Sequence, residues 1–297
     1  MEIRKIADAG GDVMIYKFYD GVYFPVKVPG DAKEHIESVI DMKYKKGDVL
    51  LATYPKSGTH WTYEILSMLL NGKAEYCQKH PLSFDHDTQE EHDKLESPRL
   101  LVTHFYPKHL PRDFLENRGK IFYVYRNPKD TAVSFYAFIK RLNMQGHLYN
   151  GKWQNFIELY MQGKVAYNSW CEHVSAWVDF QKRNPDYPLL LISYEDMKKD
   201  LRRSVQSIAE HLGTGADPAL LDDIASKCEF KEMFKEKTAN TTETEKQMTL
   251  DGSNPFYRKG DVGDWKNWFT EAQNEQFDMT VKKDVEDIDL PVVYTLK

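Results

Sequence analysis

Lys56, Ser57, Gly58 and Thr59 stand side by side in the run PKSGTHW, a set of residue types that can hold an anion. Glycine lets the backbone come close, a helix beginning just beyond it offers unpaired N–H groups, and lysine adds a full charge. The order differs from the nucleotide-triphosphate loop GxxxxGK[ST], because the first glycine is absent and the lysine precedes Gly58. A second set is YRNPKDTAVSF, where Arg126 can grip a phosphate through two parallel hydrogen bonds and Ser134, in the following helix, can add a hydroxyl donor. In a third, FYRKGDVGDW, Arg258, Lys259 and Gly260 are consecutive. His104 closes the apolar stretch LLVTH, and a neutral imidazole near pH 7 can accept a proton from a hydroxyl. Taken singly, each also has an ordinary reading as a tight turn, a surface ion-pairing residue, a basic solvated loop or a structural histidine.

These residues need elements to position them. The runs DVLLATY (48–54), RLLVT (99–103), KIFYVY (120–125) and PLLLIS (188–193) are short and almost wholly apolar, as strands buried on both faces are. Helical stretches follow them at 61–70, 129–141, 166–182 and 197–212. The pattern implies an α/β fold, a single domain with a central parallel sheet flanked by helices and a phosphate-binding loop after the first strand of that sheet. Ligands of such sheets lie beyond the carboxyl ends of the strands, where PKSGTHW, HFYPKH, RNPKD and YED stand. From Lys235 to Gly263 the chain is polar with little periodicity, which reads as a long mobile segment.

With 41% hydrophobic residues over 297 positions, the chain can bury a sizeable core. Its net charge of −6 argues against general nucleic-acid binding, so an anionic ligand must be met by a local cluster of cations. The sequence contains no apolar run long enough to span a bilayer, and MEIRKIADAGGD lacks the apolar core of a secretory signal. The expectation is a soluble cytoplasmic protein. Cys77, Cys171 and Cys228 are widely spaced and show neither a disulfide framework nor a zinc pattern. The run from Asp85 to Asp93, with His86, Asp87, Glu90, Glu91 and His92, lacks metal-ligand spacing and reads as a solvated acidic loop.

Together and in this order, TYPKSGTHW, YRNPKDTAVSFY and RKGDVGDWKNWF resemble the cytosolic sulfotransferases, and the likeness runs from about Asp48 to Phe277. That family moves a sulfuryl group from 3′-phosphoadenosine 5′-phosphosulfate (PAPS) to an acceptor hydroxyl or amine and releases adenosine 3′,5′-bisphosphate (PAP). The resemblance implies that Lys56, Ser57, Gly58, Thr59, His60 and Trp61 bind the 5′-phosphosulfate end, with Trp61 stacked on adenine. Arg126 and Ser134, with Arg258, Lys259 and Gly260, take the 3′-phosphate. Tyr194, Phe230 and Phe256 lie near adenine, and Cys228 stands where the family usually has threonine. His104 matches the catalytic base, Lys56 the cation that stabilises the departing oxygen, and Ser134 a residue that holds Lys56 in check. The acceptor is a small, largely apolar molecule, with Phe138, Phe84 and Phe105 as candidates for its pocket. The donor carries roughly four negative charges, and Lys56, Arg126, Arg258 and Lys259 can offset them without a metal.

The sequence departs from the family pattern at Val102, where many members have lysine, and at Glu271, which replaces valine in a dimer segment here marked by Lys266, Thr270 and Glu275. A desolvated carboxylate is costly, so a homodimer is only weakly supported. Two other readings stay open. One is a nucleotide or small-molecule kinase, which normally needs Mg²⁺ and the missing glycine-lysine order. The other is a nucleotide-binding protein that keeps the fold without the reaction.

Overall fold

The computed structural model describes residues 2–78, 81–143 and 149–296. Its central sheet has four parallel strands, β4 (Val49–Thr53), β5 (Leu100–Thr103), β6 (Lys120–Tyr125) and β7 (Leu189–Ser193), in the order β5-β4-β6-β7. Val49 is opposite Leu100 on one side and Lys120 on the other, and Ile121 is opposite Leu189. The chain leaves β4 to one side to form β5, then returns across it to form β6 and β7. The reversal of strand order therefore falls beside the carboxyl end of β4, where open α/β sheets bind ligands.

The continuous apolar strands are explained by two cores, one on each face of the sheet. Successive side chains of a strand point to opposite faces. Leu50, Ala52, Ile121 and Tyr123 accordingly join one core with Trp177 and Phe156, while Val49, Leu51, Phe122 and Val124 join the other with Ile65, Val205 and Ile224. A three-stranded antiparallel sheet, β1 (Glu2–Ala7), β2 (Val13–Tyr19) and β3 (Val22–Pro25), precedes these strands and is an addition to the architecture read from sequence. Among the described residues, no helix is long and apolar enough to cross a membrane.

Helix ends follow local chemistry. The helix Trp170–Arg183 starts at Ser169, whose hydroxyl accepts the Glu172 N–H at 3.0 Å. Ser169→Ala should lower stability by about 1 kcal/mol, the usual cost of losing such a cap; chemical denaturation measures it, and an unchanged midpoint and slope would contradict the assignment. The helix expected at 197–212 is two, Tyr194–Lys199 and Leu201–Leu212. Asp200 separates them because its carboxylate caps the second by accepting the Arg203 N–H.

The span 235–263, whose composition implies a long mobile segment, holds regular elements. It contains the end of helix Phe230–Ala239, the short helix Glu243–Gln247 and a bridge from Thr249 to Leu142. Glu243–Gln247 is exposed on nearly every face, so no apolar period betrays it, and the capping box of Thr242 with Glu245 defines its start. Thr270, of the dimer segment, caps the helix Glu271–Ile288, and Glu271 and Glu275 are exposed on the single chain.

Candidate active site

The first anion-binding element forms where β4 meets the helix Thr59–Asn71. Gly58 is the N-cap, with φ 115° and no side-chain cap, so the first N–H groups of the helix have no capping side chain. A Cβ at Gly58 would come within 2.9 Å of the Tyr194 ring, and its backbone conformation disfavours any other residue. Ser57 is fully buried, and its hydroxyl has no hydrogen-bond partner among the described residues. Lys56 itself has φ 70°, and its Nζ lies 4.0 Å above the Phe138 ring. Burial, followed by the charges of Arg126, Arg141 and Arg258, lowers the Lys56 ammonium to about 7. Its side chain still keeps part of its surface open to the cavity, and the three arginines push in the same direction as burial.

Arg126 joins all the basic elements. It follows β6 and is 5% exposed; its guanidinium donates to the Asp261 carbonyl at 2.7 Å and the Lys56 carbonyl at 3.4 Å, and lies 4.3 Å from the Tyr194 ring centroid. Among the described residues its Nε has no hydrogen-bond partner. The loop bearing Arg258 and Lys259 is tied down by Asp130, whose carboxylate accepts the Gly263 N–H at 2.7 Å and the Trp265 N–H at 2.9 Å. Asp130 also accepts from the Asn127 amide, and Asn127 is held in turn by Glu195. The RNPKD, YED and RKGDVGDW stretches thus form one hydrogen-bonded unit. Within it Arg258 and Lys259 each pair with Asp264 at 2.8 Å. Burial raises the Asp264 carboxyl, but hydrogen bonds from Lys259, Asn267 and Arg258 outweigh this and hold it well below the usual carboxylate range.

His104 follows β5. Its Nδ1 lies 2.8 Å from the Thr53 carbonyl, which can only accept, so Nδ1 carries the hydrogen and the neutral ring keeps its lone pair on Nε2. Both backbone groups of His104 are taken by side chains. Asp85 accepts its N–H at 3.0 and 3.2 Å, and the His173 Nε2–H donates to its carbonyl at 2.9 Å. Tyr123 donates to His173 Nδ1 at 2.9 Å, and burial holds His173 neutral by lowering it to about 3.

One cavity of about 540 Å³ receives Lys56, Gly58, Thr59, His60, Trp61, His104, Arg126, Ser134, Phe138, Tyr194, Phe230, Phe256, Arg258, Lys259 and Gly260. Much of the remaining wall is apolar, with Ile15, Val26, Val102, Ile139, Leu142, Ala166, Met233 and Met248. His60 stacks on Phe256 with centroids 3.8 Å apart, and Phe256 lies 6.4 Å from Phe138. Gly260 is obligatory, since a Cβ there would collide with the Phe230 ring at 2.2 Å.

Four expected contacts need correction. Cys228 is fully buried with its thiol against Met68; it lies behind Trp61, whose indole N–H donates to the Cys228 carbonyl at 2.7 Å, and does not line the cavity. Phe84 packs into the core against His92, and Phe105 against Phe24 and His109, both without exposed surface. Phe84 and Phe105 sit in mostly apolar or aromatic surroundings that retain them in the core. Ser134 lines the cavity, but Lys56 rests on Phe138 rather than on its hydroxyl.

Thr53, Tyr167 and His173 carry no site signal in the sequence, and Asp85 stands there only as a member of a charged run without metal-ligand spacing. Asp85 was read within a solvated acidic run, yet it has no exposed surface. The available signal was its place beside Phe84, an apolar residue in an otherwise polar stretch, which marks where the chain turns inward. Among the described residues no group of three or more His, Cys, Asp or Glu is arranged to hold a metal ion.

A glycine turn opening a helix at the sheet's switch point, a cluster of cations and a histidine whose Nδ1 is engaged thus face one cavity, an arrangement that can hold an anionic ligand beside a base. Residues 46–289 match the model of the sulfotransferase domain. The chain is 37% identical over 262 residues to sulfotransferase 1B1 of the dog, Canis lupus familiaris, covering 84% of this chain and 87% of that one. Among solved structures it is similar to mouse sulfotransferase SULT7A1 complexed with PAP, with TM-score 0.74, 29% identity and coverage of 91% and 93%. It also shares the fold of retinol dehydratase in a complex with retinol and PAP, with TM-score 0.79, 21% identity and 98% of each chain covered. The chain belongs to the sulfotransferase family.

Proposed function

We propose that this protein transfers a sulfuryl group from PAPS to a hydroxyl, or an amine, of a small and largely apolar acceptor, with His104 as the base. The observation that carries this reading is the convergence of Lys56, Arg126 and Arg258 with His104 on one cavity. The residues suit a doubly phosphorylated nucleotide: the uncapped helix start at Gly58 and the Arg126 Nε, which has no partner among the described residues, belong to the cavity wall and are polar groups that an anion would satisfy. PAPS supplies the activated sulfuryl group when bound.

His104 Nε2 takes the acceptor proton as the acceptor oxygen bonds to sulfur and the bridging oxygen leaves with the electron pair of the broken bond. Lys56 stabilises charge on that departing oxygen, and Arg126 with Ser134 holds the 3′-phosphate. Arg258 and Lys259 reach the same phosphate by giving up part of their pairing with Asp264. Phe138 and the apolar wall exclude water around the acceptor.

The test is transfer of labelled sulfate from PAPS to a panel of phenols, steroid alcohols and amines. Transfer in the presence of chelator is expected. A requirement for ATP and Mg²⁺ would replace the reading with a kinase, and tight PAP binding without transfer to any acceptor would replace it with a binding protein.

Lys56 gives this reading a pH signature. A lysine lowered to about 7 is mostly neutral at pH 8 in the free protein, and a phosphate beside it raises it again. Binding of PAP at pH 8 should then take up about one proton, and affinity should fall as pH rises above 7 by up to about tenfold per unit. Calorimetry in buffers of different ionisation heat measures the uptake; equal heats in all buffers would contradict it.

A further inference from the structure

We propose that Asp85 is a positioning residue for His104, setting the direction of its ring and supplying the negative charge that offsets the imidazolium formed in the reaction. The inference rests on the reading of His104 as the base and extends it to a residue outside the three basic stretches.

The carboxylate of Asp85 is wholly buried and fully engaged. It accepts the His104 N–H through both oxygens, the Tyr167 hydroxyl at 2.6 Å and the Ser83 hydroxyl at 2.7 Å. His173 holds the other side of the same residue through its carbonyl. With its backbone gripped from both sides, the ring is left to place Nδ1–H on Thr53 and Nε2 towards the remaining space.

A carboxylate in this position must stay charged to act. Burial raises it, but electrostatic attraction to His104 and His86 and the hydrogen bonds from Tyr167 and Ser83 prevail, so it lies below its ordinary value and is ionised at neutral pH. The other titratable groups around the pair are Lys56, Lys27 and Asp87 on the cavity wall and His173, which burial keeps neutral. Asp85 is the one among them that bonds to His104 and carries negative charge. No sulfur or proton transfer passes through it.

Asp85→Asn preserves size: with the amide nitrogen in place of Oδ2 its hydrogen can be accepted by the Ser83 hydroxyl, while the amide oxygen still accepts from Tyr167 and the His104 N–H, so the fold is kept while the charge is lost. With PAPS and the acceptor turned over fastest in the labelled-sulfate panel, kcat should fall on the order of 10- to 100-fold, less than for a carboxylate bonded to the ring itself. The acid limb of the pH profile should move to lower pH, because the imidazolium formed in the reaction loses its counter-charge. PAP affinity should stay within about twofold.

An unchanged pH profile overturns the proposal even if kcat falls, since a merely structural loss leaves the limb in place. Spectra of ¹⁵N-labelled histidine need no acceptor: the native ring should show the Nδ1–H tautomer and Asp85→Ala a mixture, and identical spectra also overturn it. His104→Ala, run alongside, separates the two ideas. Retained turnover there removes the base, whereas its loss with a native-like Asp85→Asn removes only the positioning role.

Discussion

His104→Ala should lower turnover by about 10²- to 10⁴-fold while leaving PAP affinity nearly intact, the usual scale for removal of a general base. The two effects separate because the ring bonds none of Lys56, Arg126 or Arg258; its one link to the loop after β4 is through Thr53, whose hydroxyl keeps its own bond to Thr59. Its Nδ1 is spent on the Thr53 carbonyl, and its backbone is held by Asp85 and His173. Truncation leaves those backbone bonds in place, so the β5 end keeps its shape, and the Thr53–Thr59 hydroxyl bond continues to brace the loop after β4. Steady-state kinetics with saturating PAPS, beside PAP titration of the variant, checks both halves. An unchanged turnover number removes His104 from the mechanism.

Arg126→Ala should weaken PAP binding by on the order of 1.5 to 3 kcal/mol, the scale of a charged hydrogen bond, or about 10- to 150-fold in Kd. Arg126 is the cation with most to lose. It is almost fully buried, it braces the Lys56 and Asp261 carbonyls, and its Nε is unpartnered among the described residues. Arg258 and Lys259 differ because Asp264 already neutralises them, so their gain from a phosphate is reduced by the pairing they give up. Calorimetric titration with PAP and with adenosine 5′-monophosphate distinguishes the phosphates. The native protein should prefer PAP strongly, and the variant should lose most of that preference. Equal affinities in the native protein would contradict the role given to Arg126.

Much of this site was legible along the chain because its parts are local. PKSGTHW needs only a strand before it and a helix after it, and β4 and the helix Thr59–Asn71 provide them from their own apolar patterns. RNPKD carries its own start signal, with the Asn127 cap and Pro128 in the first turn. The strand ends were right to within a residue or so, since strands buried on both faces lack polar positions and stop where polar residues begin.

Other features depended on partners far away in sequence. Asp85 and Asp87 stand two residues apart in one polar run, yet Asp85 is engulfed by Tyr167 and His104 while Asp87 faces the cavity. The family resemblance points to Phe84 and Cys228, and nearness to His104 points to Phe105, yet neighbours from other elements enclose all three. The pairing of Arg258 and Lys259 with Asp264 was equally unmarked, because alternating charges in a loop have the same composition whether solvated or clasped.

The order of residues alone determined the parallel sheet, the anion loop after its first strand and the cations able to face it, because apolar runs, glycine and proline act over a few neighbouring residues. Tertiary structure alone decided which side chains reach the cavity, which nitrogen of His104 is bare and which carboxylate stands behind it. Those outcomes are set by burial and by hydrogen bonds between segments tens of residues apart, where an unpaired polar group costs more than any local preference returns.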